Sequence, residues 1–398
     1  MQLSPYSIVR LKPKADARKL RHGAPWVFAN DMVTDRRTKA LAPGAIAVLQ
    51  DAERRDLGVV AVNPNSKIFC RMLDTNAEAV IDRVWIAARL QKALALREKA
   101  YDTSFYRLVH AEGDGLPGVV IDRFGDIAVI QPNAAWAEAM LDDLAGALAE
   151  VTGVGTILKN AGGRARALEG LDDGQAVLVG AAPEAAVPVE MNGAIYMADL
   201  MGGQKTGLFF DQRENHAFAA RFAKGARVLD VFSHVGGFGL AGLAAGAQSV
   251  LAVDGSAPAL TLAEEGARQM GKGAEFATRK GDAFEVMVAL GQEGATFDMV
   301  ICDPPAFAPS KQALEPGLRA YEKVARMAAG LVSEGGILGL CSCSHAADLA
   351  KFRDASIRGI GRAGRNGALI HTGFAGPDHP MHPQLAESGY LKALFFRL

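Results

Sequence analysis

From about Gly203 onward the chain repeats one pattern: an apolar run of strand length, a glycine-bearing turn, then an alanine-rich segment. The runs are "ARVLDVF", "SVLAVDG", "FATRKGDAF", "FDMVICDPP" and "GGILGLCSCS". Strands alternating with helices need crossover connections, so they pair in parallel and bury both faces, which predicts an α/β, doubly wound sheet. Sheets of this kind hold ligands outside the carboxyl ends of their strands. The unusual residues of this segment fall at those ends.

The text before it has other periods. Between Tyr6 and Leu73, "SIVRLK", "AIAVLQD", "LGVVAVNPNS" and "IFCRML" predict a small β-rich module, with Trp26 and Phe28 in its core. "DTNAEAVIDRVWIAARLQKALALREKA" predicts a helix that starts at Asp74 or Asn76 and turns Val80, Val84, Ala87, Leu90 and Leu94 to one face. "GLPGVVIDRFGDIAVIQ" predicts a hairpin turning at Phe124-Gly125-Asp126, and "AWAEAMLDDLAGALAEV" an amphipathic helix. "VEMNGAIYMADL" reads as a further hairpin leading into the repeated pattern. With 398 residues the chain exceeds one ordinary core. The expected division is residues 1–75, small and β-rich; 76–188, α+β; and 189–398, doubly wound and Rossmann-like.

The formal charge of -1 is uninformative, but its distribution is not. Residues 1–40 carry nine Lys/Arg against three Asp, a basic region that suits a polyanion or forms a solvated surface. Four cysteines, at 70, 302, 341 and 343, make no disulfide framework, and a reducing, cytoplasmic location is expected. The opening "MQLSPYSIVRLKPK" lacks the apolar core of a signal peptide, and no apolar run reaches the length of a membrane span.

The first strand of the repeated pattern closes in "LDVFSHVGGFG", with Asp230 ahead of Gly236, Gly237 and Gly239. The spacing is not that of a dinucleotide loop, and an acid at this place repels a pyrophosphate but suits a ligand with a cationic amino group. A dehydrogenase is therefore disfavoured. Asp254 ends the second strand, where a carboxylate can accept from ribose hydroxyls, and Asp282 follows the third, within reach of an adenine amino group. Three acids at three consecutive strand ends outweigh the ordinary reading of each as a helix cap.

"LDVFSHVGGFG", "VDGSAPAL", "GDAFEVM" and "CDPPAFAPSK" resemble successive motifs of class I S-adenosylmethionine-dependent methyltransferases. More narrowly, the chain resembles the 23S ribosomal RNA cytosine-C5 methyltransferases with an N-terminal PUA domain. "LRHGAPWVFAND" looks like the opening of that domain, and "GLFFDQRENH" like the segment before the first strand. The resemblance implies S-adenosylmethionine as cofactor, lined by Asp230, Phe232, Gly236 and Gly237, by Asp254 and Gly255, by Asp282, Ala283 and Phe284, and by Asp303. Gln212 and Arg213 contribute from the preceding segment, the arginine as a partner for the cofactor carboxylate. The sequence departs from the family at Ser233-His234-Val235, where a Tyr-Thr pairing is expected.

Carbon 5 of a pyrimidine is a poor nucleophile until a thiolate adds at carbon 6. "GLCSCS" follows "DPP" by one strand and one helix, so Cys343 at the strand end is the expected nucleophile, with Asp303 on the N3 or amino edge of the base. Cys343 also matches the cysteine of the family's Ser-Cys-Ser stretch. A related type of ribosomal methyltransferase, acting on guanine, has a similar D-P-P loop without this cysteine. Cys70, Cys302 and Cys341 read as packing. His345 beside C-x-C makes too few ligands for zinc, so no metal is expected. Ser344, His345 and Lys311 are candidates to assist the thiol, and His379 and His382 read as surface residues rather than pocket lining. Lys12, Lys14, Arg18, Lys19 and Arg21 are expected on phosphates of large-subunit ribosomal RNA. The alternatives are a non-catalytic RNA-binding or assembly factor, and a guanine or small-molecule methyltransferase. The sequence leaves the oligomeric state open, a homodimer included.

Overall fold

The structure is a computed structural model that describes residues 6–202 and 207–398. Two compact units divide it. One comprises the described residues up to Glu184, the segment from Leu200, and Pro377–Ser388; the other comprises Ala185–Asp199, Gly207–Gly376 and Gly389–Leu398.

The first unit holds two five-stranded sheets. One joins β1 (Ser7–Arg10), β2 (Trp26–Phe28), β3 (Ala45–Gln50), β4 (Asp56–Val62) and β5 (Ile68–Asp74) in the order β1-β3-β4-β5-β2. Val9, Leu11, Val27, Leu49, Val60, Phe69 and Cys70 form its core. Phe28 departs from the expectation: it is 45% exposed, because the β2–β5 register shifts between Val27 and Phe28, so Val27 points inward and Phe28 is turned out. Trp26 is half-buried, and its Nε1 donates to Glu112 Oε1 at 2.8 Å.

The other sheet joins β6 (Phe105–His110), β7 (Val119–Phe124), β8 (Ile127–Pro132), β9 (Thr156–Ala161) and β10 (Gly174–Val179) in the order β10-β9-β8-β7-β6. The Arg83–Ala100 helix supplies Trp85, Ile86 and Leu90 to its core. This helix corrects the sequence reading. It starts at Asp82, whose carboxylate accepts from the Trp85 N–H at 2.8 Å, and Val80 and Val84 are 57% and 76% exposed. The bulk of Trp85 and Ile86 sets the buried face one position along, and that face ends on a charge. Arg97, fully buried, meets Asp114 through two bonds of 2.6 and 2.7 Å and donates to the Asp378 carbonyl at 2.8 Å. His379 is likewise not at the surface: it is buried, with Nδ1 2.9 Å from Asp378 Oδ1 and its ring 4.9 Å from that of His110.

In the second unit a hairpin, β11 (Val187–Met191) and β12 (Ala194–Ala198), precedes a seven-stranded sheet. Its strands are β13 (Arg227–Val231), β14 (Ser249–Asp254), β15 (Phe276–Lys280), β16 (Phe297–Cys302), β17 (Val332–Ser342), β18 (Ala368–Gly373) and β19 (Lys392–Arg397), ordered β15-β14-β13-β16-β17-β19-β18. The first five are parallel, and β17–β19 and β18–β19 are antiparallel. The strand order reverses between β13 and β16, which opens a crevice at their carboxyl ends. Pairing runs on past the strands: Ser233 N–H donates to the Val253 carbonyl at 3.0 Å, Asp303 N–H to Val231 at 3.2 Å, and Gly281 N–H to Asp254 at 3.0 Å. The loops that carry the predicted residues thus leave the sheet in alignment.

Replacing Arg97 with alanine leaves the Asp114 carboxylate without its counter-charge, held among the described residues only by the His110 N–H, a loss of about 3–5 kcal/mol in unfolding free energy by the usual cost of breaking a buried pair. Urea denaturation of Arg97→Ala measures it; a change under 1 kcal/mol would show that the pair contributes nothing net.

Candidate active site

Asp230 lies in β13 with its side chain almost fully buried. Oδ2 accepts the Gly239 N–H at 2.8 Å. That approach requires a glycine, since a Cβ at 239 would come within 2.8 Å of Val250 and 3.2 Å of the same carboxylate. Oδ1 has no hydrogen-bond partner among the described residues, and neither has the buried Ser233 hydroxyl. Burial, reinforced by the charge of Asp254, pushes the Asp230 carboxyl up to about 7.

The loop after β13 is strained. Phe232 and His234, both with side chains, adopt φ of 63° and 50°, and Gly236 follows at 83°. His234 is held by its N–H donating to Asp254 Oδ2 at 2.9 Å, while Asp254 Oδ1 takes the Ser256 N–H at 2.8 Å. Gly237 opens the next helix because a Cβ there would meet the His216 ring at 2.8 Å. Asp282, exposed, caps the Ala283–Gln292 helix through Oδ1, accepting from the Phe284 and Glu285 N–H groups at 2.9 and 3.1 Å. Gly255 is exposed beside Asp254, and Ala283 is buried at the helix start. Phe284 stands 6.3 Å from the rings of both Phe232 and Phe307.

Gln212 and Arg213 are buried at the start of the Arg213–Ala220 helix, with the Arg213 guanidinium 5.6 Å from the Phe210 ring centre. Asp303, half-buried just past β16, is pushed up to about 8 by burial and by the charges of Asp211 and Asp230, partly offset by the Gln212 amide. The sequence-predicted acids therefore gather at the carboxyl ends of four adjacent strands.

The two cysteines of β17 differ. Cys341 is 1% exposed, and burial, with the charge of Asp303, drives its thiol well above the ordinary range. Cys343, one residue beyond the strand, is partly exposed. A buried hydroxyl network flanks it. Tyr321, on the Leu314–Ala329 helix, lies 2.9 Å from Ser342 Oγ and 2.7 Å from Ser344 Oγ, and Ser344 Oγ accepts the Ala308 N–H of the loop after Asp-Pro-Pro at 2.9 Å. His345 and Lys311 are exposed. The sequence reading missed Tyr321 and Lys392. A tyrosine on an amphipathic helix reads as core, and only a lysine standing in the apolar "YLKALFFRL" carried a signal.

Among the basic residues near the start, Lys14, Arg18 and Lys19 are exposed. Arg21 pairs with Asp51 at 2.5 Å, and Lys12 donates to the Asn30 carbonyl at 2.9 Å. No helix among the described residues is long and apolar enough to cross a membrane.

The site fits a ligand with a cationic amino end and a hydroxylated middle. Asp230 offers a buried acceptor with nothing on it, and Asp254 and Asp282 stand in line beside it. Residues 161–397 match the S-adenosylmethionine-dependent methyltransferase family, and residues 9–75 match the PUA-like domain. The chain is 35% identical to the ribosomal RNA large subunit methyltransferase of Deinococcus radiodurans, over 97% of this chain and 96% of that one. It is also 35% identical to ribosomal RNA large subunit methyltransferase I of Shewanella denitrificans, over 98% and 99%. A solved structure described as a candidate S-adenosylmethionine-dependent methyltransferase from Streptococcus mutans superposes with a TM-score of 0.82, at 20% identity, covering 98% of this chain and all 100% of that one. The fold is that of a Rossmann-like S-adenosylmethionine-dependent methyltransferase. The chain belongs to the S-adenosylmethionine-dependent methyltransferases that carry a PUA-like domain, the family of these two relatives.

Asp230 is expected to take a cationic amine, which pairs only with the ionised carboxylate; because that carboxyl is raised to about 7, binding should strengthen as pH rises through that value. Between pH 6 and 8 the ionised fraction grows about tenfold, and the affinity for S-adenosylhomocysteine should grow with it. Calorimetric titration checks this; an affinity flat across that range, or an Asp230→Asn variant with the same pH dependence, contradicts the assignment.

Proposed function

We propose that the protein methylates carbon 5 of a cytosine in large-subunit ribosomal RNA through a transient bond between Cys343 and carbon 6. The observation that carries the reading is a partly exposed thiol at the end of β17, tied to the Asp303 loop through Ser344 and Ala308. The relatives named as large-subunit ribosomal RNA methyltransferases support the substrate class.

When bound, the cofactor supplies an electrophilic methyl group. The Cys343 thiolate adds its lone pair to carbon 6, and the ring's π electrons move toward carbon 5 and N3. Asp303, kept protonated to about pH 8 by burial, offers an O–H to N3 as charge gathers there. Once carbon 5 carries the methyl group, loss of its proton restores the ring double bond and expels Cys343 as thiolate. Cys341 does not serve, because its burial holds it as a thiol. The base must leave its stack to enter a crevice at strand ends, so the substrate is single-stranded or loosely folded RNA in the cytoplasm. Lys14, Arg18 and Lys19 of the PUA-like domain hold phosphates.

Labelled S-adenosylmethionine and ribosomal RNA from cells lacking the protein test this. The wild type should label a cytosine, and Cys343→Ala should lose about a thousandfold or more in rate, as expected for removal of a nucleophile. Transfer at full rate by Cys343→Ala would reject the adduct; absence of transfer to any RNA would favour an assembly factor.

A further inference from the structure

Lys392 is buried, 4% exposed, on β19, directly opposite Ser342 in the antiparallel pair with β17. Its Nζ donates to the Ser344 carbonyl at 2.7 Å and to the Tyr390 carbonyl at 2.9 Å. Two carbonyls orient an ammonium but do not neutralise it, and a buried cation needs a counter-charge. Asp348 bears on Lys392, yet its carboxylate is already paired with Lys351. Asp211, on the other side, takes the Tyr390 hydroxyl at 2.7 Å. The remaining group that acts on Lys392 is Cys343, whose negative charge would favour the ammonium. The first carbonyl holding Nζ belongs to the residue next to Cys343, so the lysine is anchored on the backbone that presents the thiol.

We propose that the Lys392 ammonium is the counter-charge that stabilises the Cys343 thiolate, making Lys392 a positioning residue for the nucleophile. The inference rests on the reading of Cys343 as the nucleophile. The thiol proton leaves to solvent, or to Lys392 where that amine is neutral; both routes give the same thiolate and ammonium pair. When the sulfur lone pair forms the bond to carbon 6 the ammonium keeps its protons, and when that bond breaks the pair of electrons returns to a sulfur facing the same cation. Tyr321 bonds to Ser342 and Ser344 and stays a neutral phenol, since burial and the charge of Cys343 both oppose its ionisation. His345 is exposed next along the chain. Burial pulls Lys392 down to about 8 even though the charges of Cys343 and Asp348 both favour its ammonium form.

The test uses the full chain without cofactor. The rate of Cys343 alkylation by iodoacetamide is followed against pH by peptide mass spectrometry, in the wild type, Lys392→Met and Lys392→Arg. The wild-type profile should turn at least one unit below the ~8.5 of a free cysteine. Lys392→Met should move it up by about one unit or more, an approximately tenfold slower reaction at pH 7, and Lys392→Arg should recover most of the shift. Methyl transfer by Lys392→Met should also climb toward the wild-type rate as pH rises, which a merely structural loss would not produce. Identical profiles in the wild type and Lys392→Met overturn the proposal. If Lys392→Met does not fold, the wild-type profile decides: a turn at or above ~8.5 refutes it. Full transfer by Cys343→Ala would sink the nucleophile reading while leaving the thiol–lysine coupling measurable. Loss of transfer in Cys343→Ala, with an unmoved profile in Lys392→Met, would sink this inference alone.

Discussion

Successive side chains of a strand point to opposite faces, so the alignment of β17 decides whether thiols or hydroxyls face the neighbouring helix. In the observed pairing Cys302 stands opposite Leu340, and Ser342 and Ser344 turn to the Tyr321 phenol. Both serines are fully buried. A slip of one residue would present sulfur where oxygen is needed and strand a buried phenol, at roughly 1–3 kcal/mol for each group left unpaired. Because Ser344 also takes the Ala308 N–H, one phenol fixes the strand end and the Asp-Pro-Pro loop together. The catalytic arrangement depends on this knot of hydroxyls more than on any contact of Cys343 itself.

The cofactor side has the opposite character: it is under-satisfied. Asp230 keeps a bare buried oxygen, Phe232 and His234 hold left-handed backbone, and the charge of Asp230 raises the proton affinity of Asp303. Each of these features costs stability, and a ligand that brings a cation to Asp230 would offset the part that comes from its buried carboxylate. The backbone bonds that extend pairing past β13, β14 and β16 keep this strain from relaxing. A rigid sheet edge with an incomplete set of partners is what a proposed binding site at these strand ends requires.

What the sequence disclosed followed from local chemistry. Strand length, glycine turns and acids at strand ends are all short-range, and they suffice to put Asp230, Asp254, Asp282 and Asp303 on one rim of an α/β sheet. The errors were long-range. Val84 fits a helical stripe as well as Trp85 does, and only packing against the second sheet of the first unit shows which face is buried. Phe28 was turned outward by a bulge that depends on its partner strand β5. His379 joins the first unit from a stretch near the end of the chain, and Arg97 is buried because Asp114 meets it, neither of which a hydropathy pattern encodes. Tyr321 and Lys392 were missed because their significance lies in what β17 brings beside them.

The choice between the two cysteines follows from the same placement. Two residues along a strand separate Cys341 from Cys343 by roughly 6–7 Å, enough to carry the sulfur from full burial to the rim. Cys341 lies near Asp303, and each negative charge there opposes the other. The proposed chemistry needs a protonated Asp303 and an ionised thiol, and a thiol beside Asp303 is the harder one to ionise. Moving the sulfur past the last ladder bond separates the two demands. The acid stays in the low-dielectric crevice, where its proton is retained, and the thiol stands past the strand end, next to the Ser344 carbonyl that Lys392 holds.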